Sequence, residues 1–200
     1  MEVTSLTIGI GSARGLFLPV VPRNSTIPTR RTARLRYDAA LDAFVPASLA
    51  ADAADARNYE ASPSAAEATS PVARPELRRL RVFVGERARA EDNRLLGAVD
   101  VGARDGETVE LVFDLDANTI LRVHDAAFQW PLDLRMAEVE AHLLEVEANS
   151  DADRAYRLAA LGEVGWDEES FLRSAVRLHV ARWSPQGTPD DTGPTIDELD

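Results

Sequence analysis

The sequence predicts an α+β chain whose strands come first and whose helices follow, and two observations carry that prediction. From Glu2 to Tyr37, and again from Leu77 to His124, apolar and polar residues alternate in short runs between turn signals, which is the period of half-buried strands. After Trp130 and Pro131 the apolar spacing becomes helical and stays so to about Trp183. Strands grouped before helices exclude an alternating parallel sheet.

Taken in order, Leu6, Ile8 and Ile10, then Leu16 to Val21, read as strands joined by tight turns at Gly9, Gly11 and Gly15. Residues 38–76 lose the pattern to Ala, Ser, Pro and Asp, with Leu41, Phe44, Val45, Leu49 and Tyr59 as the larger apolar groups, and are expected to form an inserted loop. RLRVFVGE, LLGAVDV, TVELVFDLD and TILRVHD restore the alternation, punctuated by AEDN and ARDG. One helix is then expected from about Asp133 to Leu161 and a second from Trp166 or Asp167 to Trp183. The expected organisation is a strand unit over 1–128, a helical unit over 129–183 and a disordered acidic tail over 184–200.

Composition narrows the class. The chain has 200 residues, 45% of them hydrophobic, enough to bury a core. Its longest apolar stretch, Leu16 to Val21, is interrupted by Pro19 and cannot span a bilayer, and no signal segment opens the chain. The absence of cysteine excludes disulfides, thiolate zinc sites and Cys nucleophiles, and fits a reducing, cytoplasmic setting. The net charge of −12 disfavours nucleic acid, and the arginine-rich strand segments around Arg30 to Arg36 and Arg78 to Arg81 lack interleaved aromatics for base stacking.

Isolated motifs yield to plain structure. Gly9, Gly11 and Gly15 mimic a phosphate loop, but the third spacing is one residue too long and no helix follows. Asp114, Asp116 and Asn118 mimic the start of a calcium loop; Thr119 stands where the sharp turn wants glycine, so a β-turn is the reading. His124, His142 and His179 fall in three separate elements without ligand spacing, and no Ser sits in a nucleophile elbow. No catalytic residue, metal site or cofactor is therefore expected in this chain.

The blocks VTSLTIGI, PRNSTIPT, VGERARAEDNRLLG, VELVFDLDANTIL and EANSDADR, in that order, resemble the substrate-binding region of DnaK-type chaperones, the seventy-kilodalton heat-shock family. The resemblance implies an antiparallel β-sandwich that grips an extended, unfolded peptide segment in a groove, followed by a short helical lid. ATP and magnesium would belong to an ATPase domain preceding residue 1, with co-chaperones as its further partners. By the same resemblance Ile10, Leu35, Leu80 and Val109 line the groove, Ser12 and Arg36 meet the peptide backbone, and Ala13 and Asp38 form the arch over it. Each aliphatic position is equally at home in an ordinary sandwich core.

Departures from the family matter. Arg78 takes a normally aliphatic groove position unless the register slips to Leu77, Arg14 replaces the first of paired glycines, and the helical part is short. The insertion begins at Asp38, an arch residue, so it emerges at the mouth of the groove. Two functions follow: a module that binds exposed apolar segments of clients, or a specialised interaction module whose groove is filled by its own 38–76 insertion. Such a groove, carrying Arg36 and Arg78, is expected to prefer acidic or neutral flanks to basic ones.

Overall fold

The computed structural model describes residues 2–49, 76–125, 129–133 and 139–177. Its strands are Ile8–Gly11 (β1), Phe17–Val21 (β2), Thr29–Asp38 (β3), Ala43–Pro46 (β4), Glu76–Val84 (β5), Arg94–Ala103 (β6), Thr108–Leu115 (β7), Ile120–His124 (β8) and Gln129–Asp133 (β9). Helices Val139–Ala148 (α1), Ser150–Val164 (α2) and Glu168–Arg177 (α3) follow. The fold is α+β with strands before helices.

Two antiparallel sheets form, ordered β2-β1-β5-β6 and β4-β3-β7-β8-β9. The alternation in sequence becomes the two faces of each strand. In β3, Ala33, Leu35 and Tyr37 are buried while Arg34 is exposed; in β7, Leu111, Phe113 and Leu115 are buried; in β5, Leu80, Val82 and Val84 are. The inward faces of both sheets share one apolar cluster. Close approach fixes the β1–β2 hairpin: a Cβ on Gly9 would lie 2.4 Å from the Leu18 carbonyl oxygen and 2.7 Å from the Phe17 ring. The DLDAN segment is a turn, as its residue types require. The Asp116 carboxylate accepts the Asn118 and Ile120 amides at 2.9 and 3.0 Å and Arg122 at 3.0 Å, and Thr119 adopts φ 63°. These bonds, the Ile120 amide foremost, hold the Asp116 carboxyl below its ordinary range.

Three expectations are corrected. The loop expected from Asp38 onward contains β4, which turns back at once to pair with β3. The helical unit bounded at 129 opens instead with a strand, Gln129–Asp133, paired with β8, in the interval before Leu134 where the sequence left room for one short strand (AAFQW). The single helix expected up to Leu161 is two, because the Asn149 side-chain amide donates to the Glu145 carbonyl at 2.8 Å and closes α1, while Asp153 N donates to the Asn149 carbonyl at 2.9 Å to begin α2. The remainder of the insertion, 50–75, and the acidic tail lie outside the described residues.

The helices are built onto the sheets. Ala160, Leu161 and Phe171 belong to the sandwich cluster itself. Arg87, buried, binds Asp153 at 2.8 Å, Glu145 at 2.8 Å and Asp92 at 3.3 Å, joining α1 and α2 to the segment after β5. His142 Nε2 accepts the Glu86 amide at 3.0 Å. Gly165 closes α2 in the left-handed region (φ 73°), and Trp166 N donates back to the Leu161 carbonyl at 2.9 Å, which sends the Trp166 side chain toward β4. Asp167 accepts the Ser170 amide at 2.7 Å and caps α3.

Candidate functional site

Leu35, Arg36 and Asp38, three of the positions read from sequence, lie at the end of β3. There β3 has a neighbour on each side: β7 pairs Leu35 with Val109 and Arg36 with Thr108, and β4 pairs Leu35 with Pro46, Arg36 with Val45, Tyr37 with Phe44 and Asp38 with Ala43. Residues 39–42 make the connecting turn. Asp38 Oδ1 accepts the Ala40 and Leu41 amides at 3.0 and 3.2 Å, and Asp42 takes φ 46°, a conformation that Asp tolerates better than most. From the other sheet, Ser12 Oγ donates to the Phe44 carbonyl at 2.8 Å, a buried bond. Strand β4 is thus held by a ladder on one side and by Ser12 on the other.

Its side chains are buried on both faces. Phe44, 3% exposed, joins the cluster that contains Ile10, Leu35 and Leu80, and its ring meets Tyr37 edge-on with centroids 5.4 Å apart. Val45, 1% exposed, points the opposite way and packs with Ala13, with Leu41, Val164 and Trp166 around them. The end of α2 therefore covers β4 from outside, and Tyr156 Oη donates to the Arg14 carbonyl beside it.

Of the eight positions read from sequence, Ile10, Leu35 and Leu80 are buried members of the sandwich's common apolar cluster, with Val109 partly buried against it. Ser12 meets backbone, that of Phe44. Ala13 sits against Val45, whereas Asp38 turns its carboxylate to its own hairpin. Arg36, 3.8 Å from Asp38, lines a cleft of about 380 Å³ with Val45, Glu163 and Trp166. The register does not slip at β5: Leu77 is 70% exposed and Arg78 takes the inward place.

Arg78 brings a positive charge beside this hairpin. Its guanidinium stacks 4.6 Å over the Tyr37 ring, pairs with Glu76 and stands 3.9 Å from Asp42. Its Nε, like that of Arg36, is buried with no hydrogen-bond partner among the described residues. Tyr37 Oη donates to Asp42 Oδ1 at 2.6 Å; that bond first, and burial second, push the Tyr37 hydroxyl above its ordinary value of 10.0. Together with Ser12, Phe44 and Arg14 these groups border a second cleft of about 440 Å³.

Sequence reasoning named Phe44 and Val45 as apolar anchors of the insertion but did not see Tyr37 or Trp166 in the site. The available signals were Tyr37 as the third inward residue of an alternating strand and Trp166 directly after a glycine helix stop. Among the described residues no group of three His, Cys, Asp or Glu is arranged to hold a metal, and no helix is long and apolar enough to cross a membrane. No protein-family model matches the chain.

Proposed function

We propose that the chain is a peptide-binding module of the chaperone substrate-binding kind whose groove is occupied by its own strand β4, which makes it a regulated interaction module. The observation that carries this reading is the pairing of Ala43–Pro46 with Leu35 to Asp38, with Phe44 buried in the same apolar cluster as Ile10, Leu35 and Leu80. Strand addition of this type draws affinity from main-chain bonds and selectivity from a side-chain pocket. An occupant tethered by four turn residues competes at an effective concentration in the millimolar range or above.

Binding of unfolded client segments, the reading the family resemblance favours on its own, requires β4 to leave. Exposing Phe44 and Val45 costs roughly 1.5–3 kcal/mol each. Only a small fraction of molecules is then open, and apparent affinity falls by that fraction. Client binding thus becomes the released state of the same groove. Control by an ATPase domain and co-chaperones outside these residues would act on that release.

The double variant Phe44→Ser/Val45→Ser tests the reading. Fluorescence anisotropy with a labelled Leu-rich peptide is expected to show binding at least tenfold tighter than to the unaltered chain. Equal binding, with circular dichroism showing an intact fold, refutes self-occupation.

A further inference from the structure

The turn residue Asp42 and the strand residues Ala43-Phe44-Val45 lie along β3, and Asp42, Phe44 and Val45 each meet a different surface. We infer that the groove selects extended segments with an acidic residue two positions before an aromatic one and a β-branched residue directly after it, lying antiparallel to β3. This rests on the reading that β4 stands where a ligand strand would. The aromatic preference comes from Tyr37, whose edge-on contact at 5.4 Å rewards a flat ring beyond its burial. The β-branched preference comes from the Val45 site, bounded by Ala13 on one side and Val164 and Trp166 on the other. A short, stiff side chain fills it; a long flexible one loses rotamer freedom there.

The acidic preference comes from two donors that converge on Asp42. Tyr37 Oη donates to its carboxylate at 2.6 Å, and Arg78 Nη1 is 3.9 Å away. Glu76 occupies Arg78 Nη2, and Asp38 faces Arg36, so the site is not a bare cationic patch. A lysine in the Asp42 position would face the Arg78 guanidinium and leave the Tyr37 hydroxyl without its acceptor. The ladder also ends at Pro46, opposite Leu35, so the ligand position two after the aromatic residue tolerates proline.

The probe is the labelled peptide Leu-Asp-Ala-Phe-Val-Pro-Ala-Ser, compared with its Asp→Lys, Phe→Ala and Val→Leu versions and a Leu-rich peptide, on the Phe44→Ser/Val45→Ser chain. The expected result is affinity about tenfold higher for the parent than for the Asp→Lys version, with Arg78→Met in the same background narrowing the difference and Arg78→Met with Tyr37→Phe removing it. A second arm avoids disturbing the core. Asp42→Asn keeps the left-handed turn and the size of the side chain but removes its charge, and is expected to raise the affinity of the otherwise unaltered chain for the parent peptide about threefold or more. If all peptides, including the Leu-rich one, bind the opened chain alike, the selectivity is overturned and the occupied groove stands. If none binds the opened, folded chain, both fall. If the opened chain does not fold, an unchanged affinity in Asp42→Asn overturns the selectivity by itself.

Discussion

Arg87 is 7% exposed and meets three carboxylates from three segments, of which Asp153 is nearly as buried as Arg87 while Glu145 is more than half exposed. Its hydrogen bond to Asp153, more than any other influence, raises the guanidinium pKa above its usual value. The two partners should therefore differ sharply in worth. Removing one member of a buried pair strands the other charge, at a cost of about 3–5 kcal/mol, whereas an exposed pair contributes about 0–1 kcal/mol. Asp153→Ala is expected to lose at least ~3 kcal/mol in urea unfolding and Glu145→Gln less than ~1 kcal/mol. Equal losses would show that the three carboxylates share the charge evenly. Nothing in the spacing of Arg87 and Asp153, 66 residues apart, announces this contact, because an ion pair across elements leaves no local period.

At the scale of elements, legibility followed alternation. The strands β3, β5 and β7 could be read because one face is buried and the other carries Arg or Glu. Strand β4 could not, because Phe44 and Val45 are adjacent and both buried on opposite faces, so the period-two signal is absent, and only four residues pair. Asn149 likewise breaks the helix without the glycine or proline that a sequence reading looks for. The burial of Ile10, Leu35 and Leu80 was legible in their alternation, but the strand that pairs with Leu35 to Asp38 required the topology that returns the chain at Asp42. Strand β4 is consequently expected to exchange its amide hydrogens slowly, as part of the sandwich, despite lying in a segment composed like a loop. Hydrogen–deuterium exchange should place the amides of residues 43–45 with β3 in protection; exchange at the rate of a solvated loop would mean that the hairpin is open most of the time and would remove the support for self-occupation.

Across the whole molecule, the −12 charge is unevenly placed: residues 38–76 hold seven acids against two arginines, whereas 1–37 with 77–128 hold 14 arginines against 11 acids. The acidic balance thus lies largely outside the sheets, so Arg36 and Arg78 stand on strands of net positive charge within an acidic chain. The helices were expected as a lid, a cover distinct from the sandwich. Instead Leu161 and Phe171 are in the common core, Val164 and Trp166 cover Val45, and Arg87 depends on Asp153. Ending the chain after Asp133 would expose the apolar surface beneath Leu161 and Phe171, leave Arg87 without two of its three partners, and uncover the outer face of β4. The shortened protein is expected to melt on the order of 10 °C or more below the full chain, since each kcal/mol lost moves the midpoint by about 2–4 °C for a chain of 150–250 residues and by more for a shorter one. It should also bind a hydrophobic dye and exchange the β4 amides faster than the full chain. An unchanged melting temperature with unchanged β4 protection would mean that the helices are a separable cover and that β3 and Ser12 alone hold β4 in the groove.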